Sequence, residues 1–213
     1  MTREEMAKRR EENEVEFSRI VAFSDGVFSI AITLLVLNLT LEKGLAGGEV
    51  AHALFEQWED LLSYAISFAV IARFWLNHHR FFSEVEAFDS RLIGLNMVYL
   101  AFVVLIPFSS QVLGEYGGHA PAVVLYSLNL TAVVLVGFWM GTDARRAGLT
   151  TIDDRAAREG TVRAIFISSV FLLSIPIAFL DAGIAPFFWL ILFFDPSQRI
   201  AAIGDGDAGA PAA

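Results

Sequence analysis

Residues 19–40 read Arg19-Ile20-Val21-Ala22-Phe23-Ser24-Asp25-Gly26-Val27-Phe28-Ser29-Ile30-Ala31-Ile32-Thr33-Leu34-Leu35-Val36-Leu37-Asn38-Leu39-Thr40. No charge follows Asp25 until Glu42, and about 20 apolar residues suffice for one helix to cross a bilayer. The stretch therefore predicts a transmembrane helix. It also carries Arg19, Ser24 and Asp25 at its start and Ser29 and Thr33 in its middle. Polar and ionisable groups are costly beside lipid, so these are expected to face protein or water. At about 100° per residue, Gly26, Ile30, Thr33 and Leu37 share one stripe, and Asp25 lies well off it. One face is thus predicted to line something shared, and the other to be held by a neighbouring helix.

The rest of the chain supports that reading. Its 213 residues are 55% hydrophobic, with a mean hydropathy of +0.57. Further apolar runs cover about 61–82, 92–113, 121–140 and 162–180, with a short one at 182–194. The expected fold class is all-α: a polytopic membrane protein with six transmembrane helices. Continuous rather than alternating runs argue against a membrane β-barrel. Residues 1–16 form a charged N-terminal segment in which Glu4/Lys8 and Glu5/Arg9 sit at helical spacing. Residues 17–198 form the membrane domain, and 199–213 a Gly/Ala-rich tail expected to be disordered. The apolar run begins only near Ile20, so no cleavable leader is expected.

Composition excludes several chemistries. There is no cysteine, which removes disulfides, thiolate metal sites and thiol nucleophiles. A net charge of −9 argues against a nucleic-acid partner. His78 and His79 are adjacent, diverge by about 100° on a helix and make poor co-ligands, so no metal and no cofactor is expected. No Ser/His/Asp arrangement suggests hydrolysis, and an enzyme is not expected.

Basic residues set the orientation. Arg3, Lys8, Arg9 and Arg10 precede the first run, Arg80 and Arg91 flank the loop after the second, Arg145, Arg146, Arg155 and Arg158 fill the loop after the fourth, and Arg199 follows the last. The opposite loops hold only Lys43 and are otherwise acidic, with Glu42, Glu49, Glu56, Glu59, Asp60 and Glu115. The positive-inside rule places both termini in the cytoplasm, and the expected location is the plasma membrane. Membrane lipid is accordingly an expected partner.

Arg19-x-x-x-Phe23-Ser24-Asp25 at the start of a first membrane helix resembles the signature of the transmembrane protein 175 family of potassium-permeable channels. The following Gly-Val-Phe-Ser-Ile-Ala-Ile-Thr-Leu-Leu-Val-Leu and the second-run ending Phe74-Trp75-Leu76-Asn77-His78-His79-Arg80 resemble its bacterial branch. Animal members carry two six-helix repeats and bacterial ones a single repeat, so the resemblance implies a homotetramer. It further implies a central pore lined by the first helix and no pore loop.

On that reading four copies of the first helix turn its stripe into rings. A ring of Ile30 forms an apolar constriction that can close by dewetting, and the resemblance makes the Ile30 position the gate. Leu34 and Leu37 complete the lining. Thr33 offers four hydroxyls, and the resemblance implies that this level contributes to selectivity for potassium over sodium. Ile30, Leu34 and Leu37 would read alike as ordinary helix–helix core, and the Thr33 hydroxyl can instead bond its own preceding carbonyl. A second cluster joins Arg19, Phe23, Ser24 and Asp25 to Trp75, Asn77, His78 and His79 at one membrane surface. There an Arg19–Asp25 pair is expected, with Trp and His N–H groups completing its bonding. The resemblance implies a network holding helix 1 against helix 2; interfacial anchoring of Trp and Arg is the alternative. The expected function is passive potassium conduction, with a secondary transporter or proton conductor as the alternative.

Overall fold

The structure, a computed structural model, describes residues 3–40 and 46–194. Side chains are described from Val15 onward, except those of Asn38, Glu56, Glu59 and residues 193–194. The paired side chains of residues 4–9, the acid at Glu42 and the tail 199–213 lie outside the described residues.

Among the described residues seven α-helices run α1 (Arg3–Leu34), α2 (Gly47–Glu56), α3 (Trp58–Ser83), α4 (Ser90–Val104), α5 (Ile106–Tyr116), α6 (Ala120–Arg146) and α7 (Asp154–Leu180). α1 ends in a 3-10 turn, Leu35–Asn38, and a second 3-10 segment covers Ala185–Phe194. Among the described residues four helical stretches are long and apolar enough to cross a membrane: Val15–Leu37, Ser90–Tyr116, Ala120–Arg146 and Asp154–Leu180. α3 is equally long but carries Arg73, Asn77, His78 and His79 in its apolar stretch, which dilutes its hydropathy. The short last run is a ten-residue 3-10 segment. At about 2 Å per residue it is roughly 20 Å long, less than the ~30 Å hydrocarbon core.

The run over 92–113 is two helices, broken at Leu105. Pro107 explains the break, since it has no N–H and cannot continue the α ladder. The Asn129 amide of α6, oriented to satisfy both of its ends, spans the gap: its nitrogen donates to the Phe102 carbonyl at 3.1 Å, and its oxygen accepts from the Ile106 N–H at 3.3 Å and the Ser109 hydroxyl at 3.1 Å. Other helix pairs are joined by buried hydroxyls. Ser67 and Ser110 couple α3 to α5 at 2.5 Å, and Ser127 and Ser174 couple α6 to α7 at 2.9 Å. Small hydroxyl residues let membrane helices approach closely and supply such bonds. Between them lies one apolar core that includes Phe28 of α1, Ile71 of α3, Tyr99 of α4, Leu130 of α6 and Phe171 of α7.

The arginine-rich end is tied across its loops. Asp89 and Asp153 accept from the Leu92 and Ala156 N–H groups, both at 2.7 Å, and so cap α4 and α7. The Glu86 N–H donates to the Leu149 carbonyl, and the Thr151 N–H to the Glu84 carbonyl, each at 2.9 Å. Gly148, with φ of 70°, makes the turn that allows this pairing. Arg91 pairs with Asp143 at 3.0 Å.

Candidate functional site

α1 has two unlike faces. Phe28, Ala31 and Leu35 are 2% exposed or less and pack into the core. The opposite stripe is uncovered: Ile30 is 58% exposed and Leu37 67%, with Gly26, Ser29, Thr33 and Leu34 also exposed. The closing 3-10 turn sharpens the stripe. At about three residues per turn, Leu34 and Leu37 eclipse one another, so both continue the line from Ile30. Of the four apolar stretches, that of α1 has the highest hydropathy, 2.2, and the smallest buried share, 22% against 33–50%.

The Thr33 hydroxyl donates to the Ile30 carbonyl at 2.9 Å. This is the local bond left open by the sequence. It uses the hydroxyl proton and leaves the oxygen lone pairs free to accept, so the bond turns the side chain into an outward-facing acceptor.

Behind the stripe, α1 is held by a continuous polar chain. The Ser24 hydroxyl, fully buried, donates to the Ile20 carbonyl at 2.9 Å. It accepts from the Asn96 amide nitrogen of α4 at 3.0 Å. The Asn96 oxygen pairs with His78 Nε2 of α3 at 2.8 Å. Since Ser24 spends its proton on Ile20, Asn96 must give it an N–H, which turns the amide oxygen toward His78 and places the imidazole proton on Nε2. Phe28, Phe82 and Tyr99 surround that ring at centroid distances of 5.3, 4.6 and 5.5 Å. Separately, Trp75 Nε1 donates to Asp25 Oδ1 at 2.8 Å, and His79 stacks on Trp75 at 5.5 Å.

Ser24, Asp25, Trp75, His78 and His79 are thus brought together, and three expectations need correction. The Arg19–Asp25 pair does not form: Arg19 is exposed and takes no part in an ion pair with Asp25. Six residues along a helix is about 600°, which leaves the two side chains roughly 120° apart around the axis. Asp25 takes the Trp75 indole instead. Phe23 is 55% exposed and points along the open stripe, seven residues before Ile30, rather than into the network. Asn77 turns to a cavity between α3, α6 and α7 and makes no hydrogen bond among the described residues.

Asn96, the hub of the chain, is missing from the sequence reading. A lone Asn inside an apolar run was the available signal, because an unpartnered amide there is costly. Arg73 is also exposed in mid-helix, with no ion pair among the described residues.

Comparison with known proteins covers this half of the chain and, in two cases, most of the rest. The family model for endosomal/lysosomal potassium channel TMEM175 matches residues 19–107, which contain the open stripe and every member of both hydrogen-bonded groups. A potassium channel of Streptomyces collinus is 37% identical over 175 residues, 78% of this chain and 84% of that one. A potassium channel of Chamaesiphon minutus is 41% identical over 115 residues, 53% of this chain and 57% of its own length. The crystal structure of a lysosomal potassium-selective channel TMEM175 homolog from Chamaesiphon minutus superposes with a TM-score of 0.66 at 27% identity, over 92% of this chain and all of that one.

Proposed function

Because the chain belongs to the TMEM175 family of ion channels, and not to an enzyme family, we propose that it conducts potassium passively through a pore lined by α1. The pore forms on the axis of a homotetramer of six-pass subunits, with potassium as the permeant ion and no cofactor. The observation that carries this reading is the uncovered face of α1: the least buried of the apolar stretches also displays Ser29 and Thr33. Apolar side chains on an outer face are at ease in lipid, but hydroxyls there are not, and they ask for protein or water. A water-filled axis supplies both. The exposed Arg73 asks for the same kind of cover.

In this arrangement Ile30 is the gate, Leu34 and Leu37 extend the apolar lining, and Thr33 provides a ring of oxygens that favours potassium, the more easily dehydrated ion. Ser24 and His78, joined by Asn96, and the separate group of Asp25, Trp75 and His79 hold α1 at the radius that sets the constriction. Residues 17–198 make up the channel domain, with the last run as a short sixth pass and the segment before residue 17 as a cytoplasmic extension. Both termini are cytoplasmic in the plasma membrane, as the arginine-rich loops require. The test is potassium flux into liposomes from purified protein whose detergent-corrected mass is measured. Four copies and a flux raised by Ile30→Asn, which wets the constriction, are expected. A lower copy number, or flux indifferent to Ile30→Asn, overturns the gate.

A further inference from the structure

A cavity of about 610 Å³ lies between α3, α6 and α7, away from the open face of α1. That volume falls in the ~300–1,000 Å³ range of small-molecule sites. Its inner wall is apolar, formed by Phe74, Phe81 and Val133 among others. Gly137 and Gly141, one turn apart on α6, belong to that lining and let aromatic rings come close to the helix. A Cβ at Gly137 would stand 3.1 Å from the Tyr99 ring, and one at Gly141 3.8 Å from the Phe81 ring. The mouth carries Arg145, Arg146, Arg158 and Arg163 against the single carboxylate of Asp154. Arg145 binds Asp154, and Arg163 binds Glu159 at 3.0 Å; Arg146 is exposed at the same mouth, and the Arg145 guanidinium has more N–H donors than one carboxylate uses.

We propose that this cavity binds an anionic phospholipid, its phosphate held by the arginine mouth and an acyl chain laid along the apolar wall of Phe74, Phe81 and Val133. The charge is complementary, and the depth beyond the arginines is greasy, which a free phosphate cannot use. Basic pockets between membrane helices at the cytoplasmic side take anionic head groups by this chemistry. The site differs from the pore in elements and in ligand. It touches the α1 anchor at one point only, since His78 contributes to the cavity lining.

The test needs no ion flux, so it fails independently of the channel reading. Purified full-length protein is equilibrated with micelles doped with phosphatidylglycerol or phosphatidylcholine, and retained lipids are counted by native mass spectrometry. Phosphatidylglycerol should be retained preferentially. Arg146→Gln should lower its retention about five-fold, the equivalent of one basic residue at an anionic surface. Gly141→Leu, which adds a side chain to the cavity lining, should remove it. Thermal melts of both variants separate loss of the site from loss of the fold, and Arg146→Gln, at an exposed position, carries the test if Gly141→Leu does not fold. Equal retention of the two lipids overturns the proposal, as does phosphatidylglycerol retention unchanged by Arg146→Gln. Saturable binding of inorganic phosphate at these arginines, with no preference among lipids, reassigns the cavity to a free anion and equally overturns it.

Discussion

Replacing Asn96 by leucine tests how α1 is held. Asn96 is fully buried and joins His78 Nε2 at 2.8 Å to the Ser24 hydroxyl at 3.0 Å. Leucine matches asparagine in heavy-atom count but is bulkier, so any overpacking at this buried site adds to the loss from hydrogen bonding. The His78 N–H becomes a buried donor with no acceptor, at a cost of about 1–3 kcal/mol. Ser24 still donates to Ile20, so its share is nearer the ~0.6 kcal/mol average for interhelical bonds in membranes. Together the loss should be about 2–3 kcal/mol. It is read from reversible unfolding in mixed micelles titrated with a denaturing detergent, followed by circular dichroism. In a Ser24→Ala background the same substitution should cost less, because the two residues share a bond, with a coupling of at least ~0.5 kcal/mol. An Asn96→Leu protein that unfolds within ~0.5 kcal/mol of wild type would refute the claim that this chain pins α1.

Three further outcomes are expected. Thr33→Ala removes the outward oxygen ring and should move the potassium/sodium bi-ionic reversal potential toward zero; planar-bilayer recording checks it, and an unmoved potential assigns selectivity to another level. Asp25→Ala deprives the Trp75 indole of its acceptor and should weaken assembly, seen as loss of the large species on size-exclusion chromatography. Asp153→Ala removes the cap of α7 and should cost about 0.5–2 kcal/mol in the same unfolding assay, with potassium flux unchanged, since the residue is exposed and belongs to neither group that holds α1.

The all-helical class was legible because continuous apolar runs of bilayer length leave few other options. The two-faced nature of α1 was legible from the 3.6-residue period, which separates Ile30 and Leu37 from Phe28 and Leu35. What the period could not supply was partner choice. Asn96 stood in plain view inside an apolar run, yet its partners lie 18 and 72 residues away and depend on how α1, α3 and α4 cross. The Arg19–Asp25 pair failed for a reason available in advance, the angle between positions six apart. α2 had a local signal too, for the Ala46 N–H donates to the Glu49 carboxylate at 2.9 Å, an acid three residues into a helix start. Among the acids beside the arginines of that loop, Asp153 caps α7, and Asp154 and Glu159 take Arg145 and Arg163. Charge runs conceal such assignments because many pairings are compatible with the same spacing.

In a water-soluble chain an exposed leucine is weak evidence, and in a membrane chain it is weaker still, because lipid covers it at no cost. The informative groups are therefore the polar ones, sorted by whether the chain itself satisfies them. On the inner side of α1, Ser24 and Asp25 have partners within the same subunit, so that face is complete. On the outer side, Thr33 satisfies its proton internally but leaves an oxygen exposed, and Ser29 stands on the same uncovered surface. Had the stripe been purely aliphatic, lipid would have been an adequate neighbour and no axis need be invoked. The hydroxyls among the aliphatic side chains are the groups that the proposed hydrated path along copies of α1 would cover.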